Sequence, residues 1–117
     1  MPSWISQFRK GLLELCVLNH LHHEADYGYH IVQRLREIEG LEIRESTVYP
    51  ILARLRSEGH VIATREASSG GPPRKIFRLS DSGRTRLQSL NSYWDLLTRS
   101  IDTLRSSAQE TEGGPHE

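Results

Sequence analysis

The sequence carries one cysteine, Cys16, and only two tryptophans and two phenylalanines in 117 residues. A single thiol excludes an intrachain disulfide framework and points to a reducing compartment. No apolar run approaches the roughly 20 residues that a bilayer-spanning helix needs. The first residues lack the basic start and unbroken apolar stretch of a secretion signal. A cytoplasmic protein with no membrane partner is expected. An excess of one charge is missing as well: fifteen Lys and Arg balance fifteen Asp and Glu, so net charge says nothing about polyanions. No serine, histidine and acid set gathers at a glycine elbow, and no phosphate-cradling glycine loop opens a helix, which argues against an enzyme and assigns no cofactor.

What is present is distribution. Residues 1–43 hold four basic and six acidic side chains, residues 44–86 nine and four, and residues 87–117 two and five. One basic middle in a neutral chain is the asymmetry of a protein that meets phosphates with one surface, although a solvated surface of drifting sign gives the same count. With 36% hydrophobic and 26% charged residues the chain supports one small core. So short a chain leaves much surface wet, which favours help from a partner subunit.

Hydrophobic spacing predicts four helices and a hairpin. The first helix reads from Trp4 to about His22, with Ile5, Phe8, Leu12 and Cys16 on one stripe. A second begins near Tyr27 or Gly28, carries Ile31, Leu35 and Ile38, and is ended by Gly40. A third covers about Glu45 to Ser57 and buries Val48, Ile51, Leu52 and Leu55, with Pro50 unusually deep inside it. Val61 to Arg65 reads as a strand and Ile76 to Leu79 as its return. Residues 67–73, rich in Ser, Gly and Pro, read as a long irregular tip. Ser80 caps a fourth helix in which Leu87, Leu90, Trp94, Leu97, Ile101 and Leu104 recur at alternating steps of three and four, an apolar heptad seam. From Ser106 the composition predicts disorder.

This order gives a mainly α, α+β architecture: a winged helix-turn-helix with a two-stranded wing over residues 1–79, a dimerisation helix over 80–105 and a disordered tail over 106–117. In such a domain the third helix enters the major groove of double-stranded DNA and the hairpin reaches the flanking backbone. Short hydroxyls at Ser46 and Thr47 suit base edges or phosphates, although capping the helix is the other reading of Ser46. Tyr49 reads as a phosphate contact or a half-buried core residue. Arg54, Arg74 and Lys75 are the candidate phosphate-binding cations. The seam Leu87, Leu90, Trp94, Leu97, Ile101 and Leu104 reads as a homodimer interface, although covering the first helix within one protomer is the other reading of part of it.

Several motifs narrow this further. Tyr27-Gly28-Tyr29, then Glu45-Ser46-Thr47-Val48-Tyr49-Pro50 with Leu52, Arg54-Leu55 and Gly59, then residues 70–80 with Gly83 resemble the PadR family of transcription regulators over about two thirds of the chain. Val48 and Ile76 replace a leucine and an aromatic usual at those places, and both keep apolar character. A single C-terminal helix is similar to the family's short branch. The resemblance implies a dimeric repressor of operator DNA, released by a small-molecule effector. It also implies an aromatic near Trp94, with Tyr93 beside it, lining an effector pocket between subunits, a plain interface tryptophan being the other reading.

Two rivals stand beside this reading. Cys16 and His20, four apart, with His22, His23, Glu24 and Asp26 beyond, could make a metal-responsive regulator. Against it, Cys16 lies on the buried stripe, and no metal is assigned. A winged helix used only for protein contacts is the other.

Overall fold

The computed structural model describes residue 4 and residues 8–113, with side chains described through Ser107. Its elements are α1 (Leu12–His23), β1 (Asp26–Tyr27), α2 (Gly28–Arg36), α3 (Glu45–Ser57), β2 (Val61–Ser68), β3 (Gly71–Leu79) and α4 (Asp81–Gly113). The chain divides into two compact units, Met1–Leu87 and Gln88–Glu117, so α4 starts in the first and continues into the second. The winged helix-turn-helix architecture read from the sequence is present, with differences at four places.

The first helix is not continuous from Trp4. Gly11 has φ 151°, a conformation that a side chain disfavours, and it interrupts the helical backbone of Phe8 and Arg9 before α1 begins. Arg9 then donates to the carbonyls of Leu41 and Glu42, tying this stretch to the loop before α3. Second, α2 ends at Arg36, and a turn carries the chain to Gly40 at φ 90°.

Third, the wing is longer than expected, and its tip is short. Residues 67–73 were expected to be irregular, yet β2 runs to Ser68 and β3 starts at Gly71, leaving Ser69 and Gly70 as the turn, with Gly70 at φ 76°. Pro72 and Pro73 sit within β3 because the register slips between Glu66 and Ser68. A bulge is a place where a missing backbone donor breaks no ladder bond. The two-residue β1 also joins the sheet, in antiparallel order β1-β3-β2, with Tyr27 opposite Ile76. Fourth, α4 does not stop near Ser106 but is helical through Gly113. No glycine or proline interrupts residues 84–112, so nothing local ends it. Residues 114–117 of the expected tail lie outside the described residues.

The core of the first unit is a single apolar cluster. Leu13, Val17, Leu18 and Leu21 of α1 meet Ile31, Val32 and Leu35 of α2 and Val48, Leu52 and Leu55 of α3. Val61, Phe77 and Leu79 close it from the sheet, and Leu87 from the start of α4. The sheet therefore buries one face only at its base, and the distal wing stands clear.

The joint between wing and α4 is built by small groups. Ser80 caps α4 as expected, its hydroxyl accepting from the Gly83 N–H at 3.0 Å and donating to the Gly59 carbonyl at 2.6 Å. Gly83 lies so close to the His60 carbonyl that a Cβ there would sit 2.0 Å from the oxygen. Only glycine permits this approach.

Candidate nucleic-acid interface

Helix α3 begins without a side-chain cap, since Arg44 occupies the cap position and its side chain bonds no helix N–H. Capping therefore does not occupy Ser46, which stands exposed in the first turn beside half-buried Thr47. Pro50 lacks the N–H that would otherwise bond the Ser46 carbonyl, so the first turn of α3 is without that helical hydrogen bond.

Tyr49 lies on the same exposed side of α3, and its ring packs over Gly28. A Cβ on Gly28 would lie 2.6 Å from the ring edge, which explains the glycine between Tyr27 and Tyr29. The ring is packed against Gly28, and 42% of the residue remains exposed. Burial, then the nearby Glu45 charge, raises its pKa, so the phenol keeps its proton and can donate.

Beside Tyr49 opens a cleft of about 380 Å³ between the start of α2, the outer side of α3 and strand β3, lined by Tyr27, Tyr29, Arg56, Arg74 and Lys75 among others. Tyr27 and Tyr29 stack with centroids 5.7 Å apart at 13°. Arg74 donates to the Tyr29 hydroxyl at 2.8 Å, and its guanidinium lies 5.5 Å from the Tyr29 ring centroid. The tyrosines are neutral and aim the guanidinium without cancelling its charge, while Glu66, directly across the strands from Arg74, offsets it in part. The Tyr27 hydroxyl donates to Glu66 at 2.9 Å, and that hydrogen bond raises its pKa. Composition could not reveal this aromatic seat for Arg74, because its parts lie 45 residues apart.

The wing adds a second feature. Val61 pairs with Leu79, Ala63 with Phe77 and Arg65 with Lys75, so these pairs share one face of the hairpin. Beyond the core that face ends in two directly opposed cations. Like charges opposite each other destabilise a hairpin by a few tenths of a kcal/mol, up to about 1. Neither Arg65 nor Lys75 forms an ion pair among the described residues. Arg65 was not singled out in the sequence; its opposition to Lys75 appears only once the register is known.

Arg54 behaves differently from its expected role. It donates to Glu14 at 2.7 Å and to Glu58 at 3.1 Å, and Arg86 Nε donates to the other oxygen of Glu14 at 3.1 Å. Burial opposes ionisation of Glu14, but the two guanidiniums outweigh it and hold the carboxyl below its ordinary range. Arg54 is thus a brace between α3 and α1, its charge already met, rather than a free phosphate contact. Leu87 is likewise reassigned: at 3% exposure it belongs to the core of the first unit and has no surface left for a partner. The rest of the seam differs, with Trp94 at 38%, Ile101 at 50% and Leu104 at 70% exposure and Tyr93 also exposed. Among the described residues no helix is long and apolar enough to cross a membrane.

A sequence profile of the transcriptional regulator PadR-like family matches residues 17–89. A transcriptional regulator of Mycobacterium tuberculosis is 24% identical over 95 residues, covering 81% of this chain and 87% of that protein. Among solved structures, a PadR-like transcription factor from Bacteroides fragilis is similar at 35% identity and TM-score 0.74, covering 88% of this chain and 99% of that one. A PadR family transcriptional regulator from Eggerthella lenta is similar at 32% identity and TM-score 0.78, covering 87% and 88%.

Proposed function

This chain belongs to the PadR-like family of transcriptional regulators, and from that premise we propose that it is a sequence-specific repressor that binds operator DNA as a homodimer. The family's members are regulators and not enzymes. The observation that carries the reading is the Arg65–Lys75 pair, two opposed cations on a wing that stands clear of the core. A phosphate backbone is the partner that relieves such a pair. Ser46, Thr47 and Tyr49 at the uncapped entrance of α3 then face the groove, with short hydroxyls for base edges and a protonated phenol for a phosphate. Arg74, held on its tyrosine seat, and Arg56 continue the basic track along the cleft.

Dimerisation falls to the exposed apolar side of α4. Exposed Trp94, Ile101 and Leu104, with half-buried Leu90 before them and Leu97 among them, offer a heptad seam to a second copy. Two-fold symmetry would present the two α3 helices to half-sites one helical turn, roughly 34 Å, or a multiple of it apart. Trp94 and Tyr93 would lie at the seam and form a flat apolar seat for a small aromatic effector, whose binding changes the preferred spacing of the two wings. A nuclease footprint on the gene's own promoter tests the reading. The expected result is a protected pseudo-palindrome, and an unprotected promoter at every protein concentration contradicts it.

A further inference from the structure

We propose that His20, Glu24 and Asp26 form a binding site for a divalent cation of the zinc class, with His30 holding the other oxygen of Asp26. His20 lies in the last turn of α1, Glu24 caps that helix, Asp26 opens the sheet and His30 stands in the first turn of α2. One donor atom each of His20, Glu24 and Asp26 lie within 4.8 Å of one another. Ligand atoms around a tetrahedral zinc with bonds of about 2.0–2.1 Å are roughly 3.4 Å apart. The His20–Asp26 pair at 2.8 Å has to open slightly to admit the ion, and the exposed Glu24 side chain has to move in.

Asp26 is the centre of the arrangement. One carboxylate oxygen meets His20 Nε2 at 2.8 Å and the other meets His30 Nδ1 at 3.0 Å. A simple ion pair would need one histidine; here two imidazoles from two helices converge on one carboxylate that is only 14% exposed, with a second carboxylate beside it. One imidazole and two carboxylates form a donor set of the kind zinc takes, with a fourth position open to water and no thiolate of the kind that selects copper(I). The groove of about 310 Å³ around them is also lined by Arg34 and Glu37, and Arg34 is met by Glu37 at 3.8 Å. Three carboxylates thus face one guanidinium, and the α1 C-terminus adds the negative end of its dipole. The pairing considered from sequence changes accordingly: His20 takes part, and half-buried Cys16 is outside the cluster.

The site adjoins the wing. Asp26 accepts the Tyr27 N–H at 2.8 Å and pairs with Phe77, while Tyr27 holds Glu66 of β2. A cation on Asp26 would stiffen the segment that seats Arg74, which makes it a regulator of DNA binding; that consequence rests on the function proposed above. The test of the site itself needs no DNA, so the two can fail separately. Zinc chloride is titrated calorimetrically into the full chain. One equivalent per protomer is expected, with affinity lowered at least about tenfold by Glu24→Ala and by His20→Gln, and unchanged in His22→Gln. Glu24 is exposed, so its variant keeps the fold if His20→Gln does not; circular dichroism reports this. Absence of stoichiometric binding, binding indifferent to Glu24→Ala, or binding lost in Cys16→Ala would overturn the proposal.

Discussion

Leu52 of α3 and Leu104 of α4 are the same side chain in helices with a similar apolar rhythm, yet Leu52 is 1% exposed and Leu104 is 70% exposed. In the first unit the buried stripes of α1, α2 and α3 find neighbours: three helices, a sheet and the first turns of α4 close one core. In the second unit a single helix carries its stripe without a covering layer of its own. Periodicity alone treats the two alike. What separates them is the number of elements available within the unit, and a helix that cannot bury its stripe alone leaves that surface for the proposed second copy.

That contrast can be broken by one substitution made twice. Leu52→Ala should lower stability by about 2–5 kcal/mol, independent of protein concentration, because it empties part of a closed core. Leu104→Ala should cost almost nothing in dilute protein and lower the unfolding midpoint only where dimer forms. Denaturant titrations at two concentrations separate these outcomes, and a large loss for Leu104→Ala in dilute protein would show that the helix is already covered.

Ile101→Glu sharpens the same contrast. A carboxylate at this half-exposed position is tolerated by a lone protomer but not inside a seam, where it is unpaired and desolvated. Light scattering should report half the wild-type mass with an unchanged circular dichroism spectrum. An unchanged mass places the dimer elsewhere.

The smallest effect belongs to the brace in the first unit. Glu14→Gln should cost about 1 kcal/mol at neutral pH, discounted because solvent reaches both guanidiniums. Since Arg54 and Arg86 hold the Glu14 carboxyl below its ordinary range, its contribution is complete above the unfolded pKa of about 4.3 and is lost as pH falls through the lower folded value. The stability difference between wild type and Glu14→Gln should therefore shrink on acidification below about pH 5. A difference constant down to pH 3 would mean that the brace does not titrate as described.

Much of the fold was legible because its signals are local. Helical spacing marked the cores of α1 to α4, and the Ser80 cap follows from a hydroxyl placed before a periodic run. The wing was underestimated because Pro72 and Pro73 read as breakers, and only the register reveals the bulge that accommodates them. Strand β1 has two residues and therefore no period to detect. At the site, Ser46, Tyr49, Arg74 and Lys75 came from position within the motif. Arg54 misled because its partner Glu14 is 40 residues away, and an arginine on a helix looks equally exposed with or without a carboxylate above it. Arg65 escaped notice for the complementary reason: its meaning lies in the cation across the strand.

If the wing and the entrance of α3 meet DNA phosphates as proposed, promoter binding must depend on salt through the wing cations. Anisotropy titrations of a labelled promoter duplex, run from low to physiological salt, should give a log–log slope that becomes shallower by about two in Arg65→Ala with Lys75→Ala, with weaker binding throughout. A slope equal to that of the wild type would contradict the account.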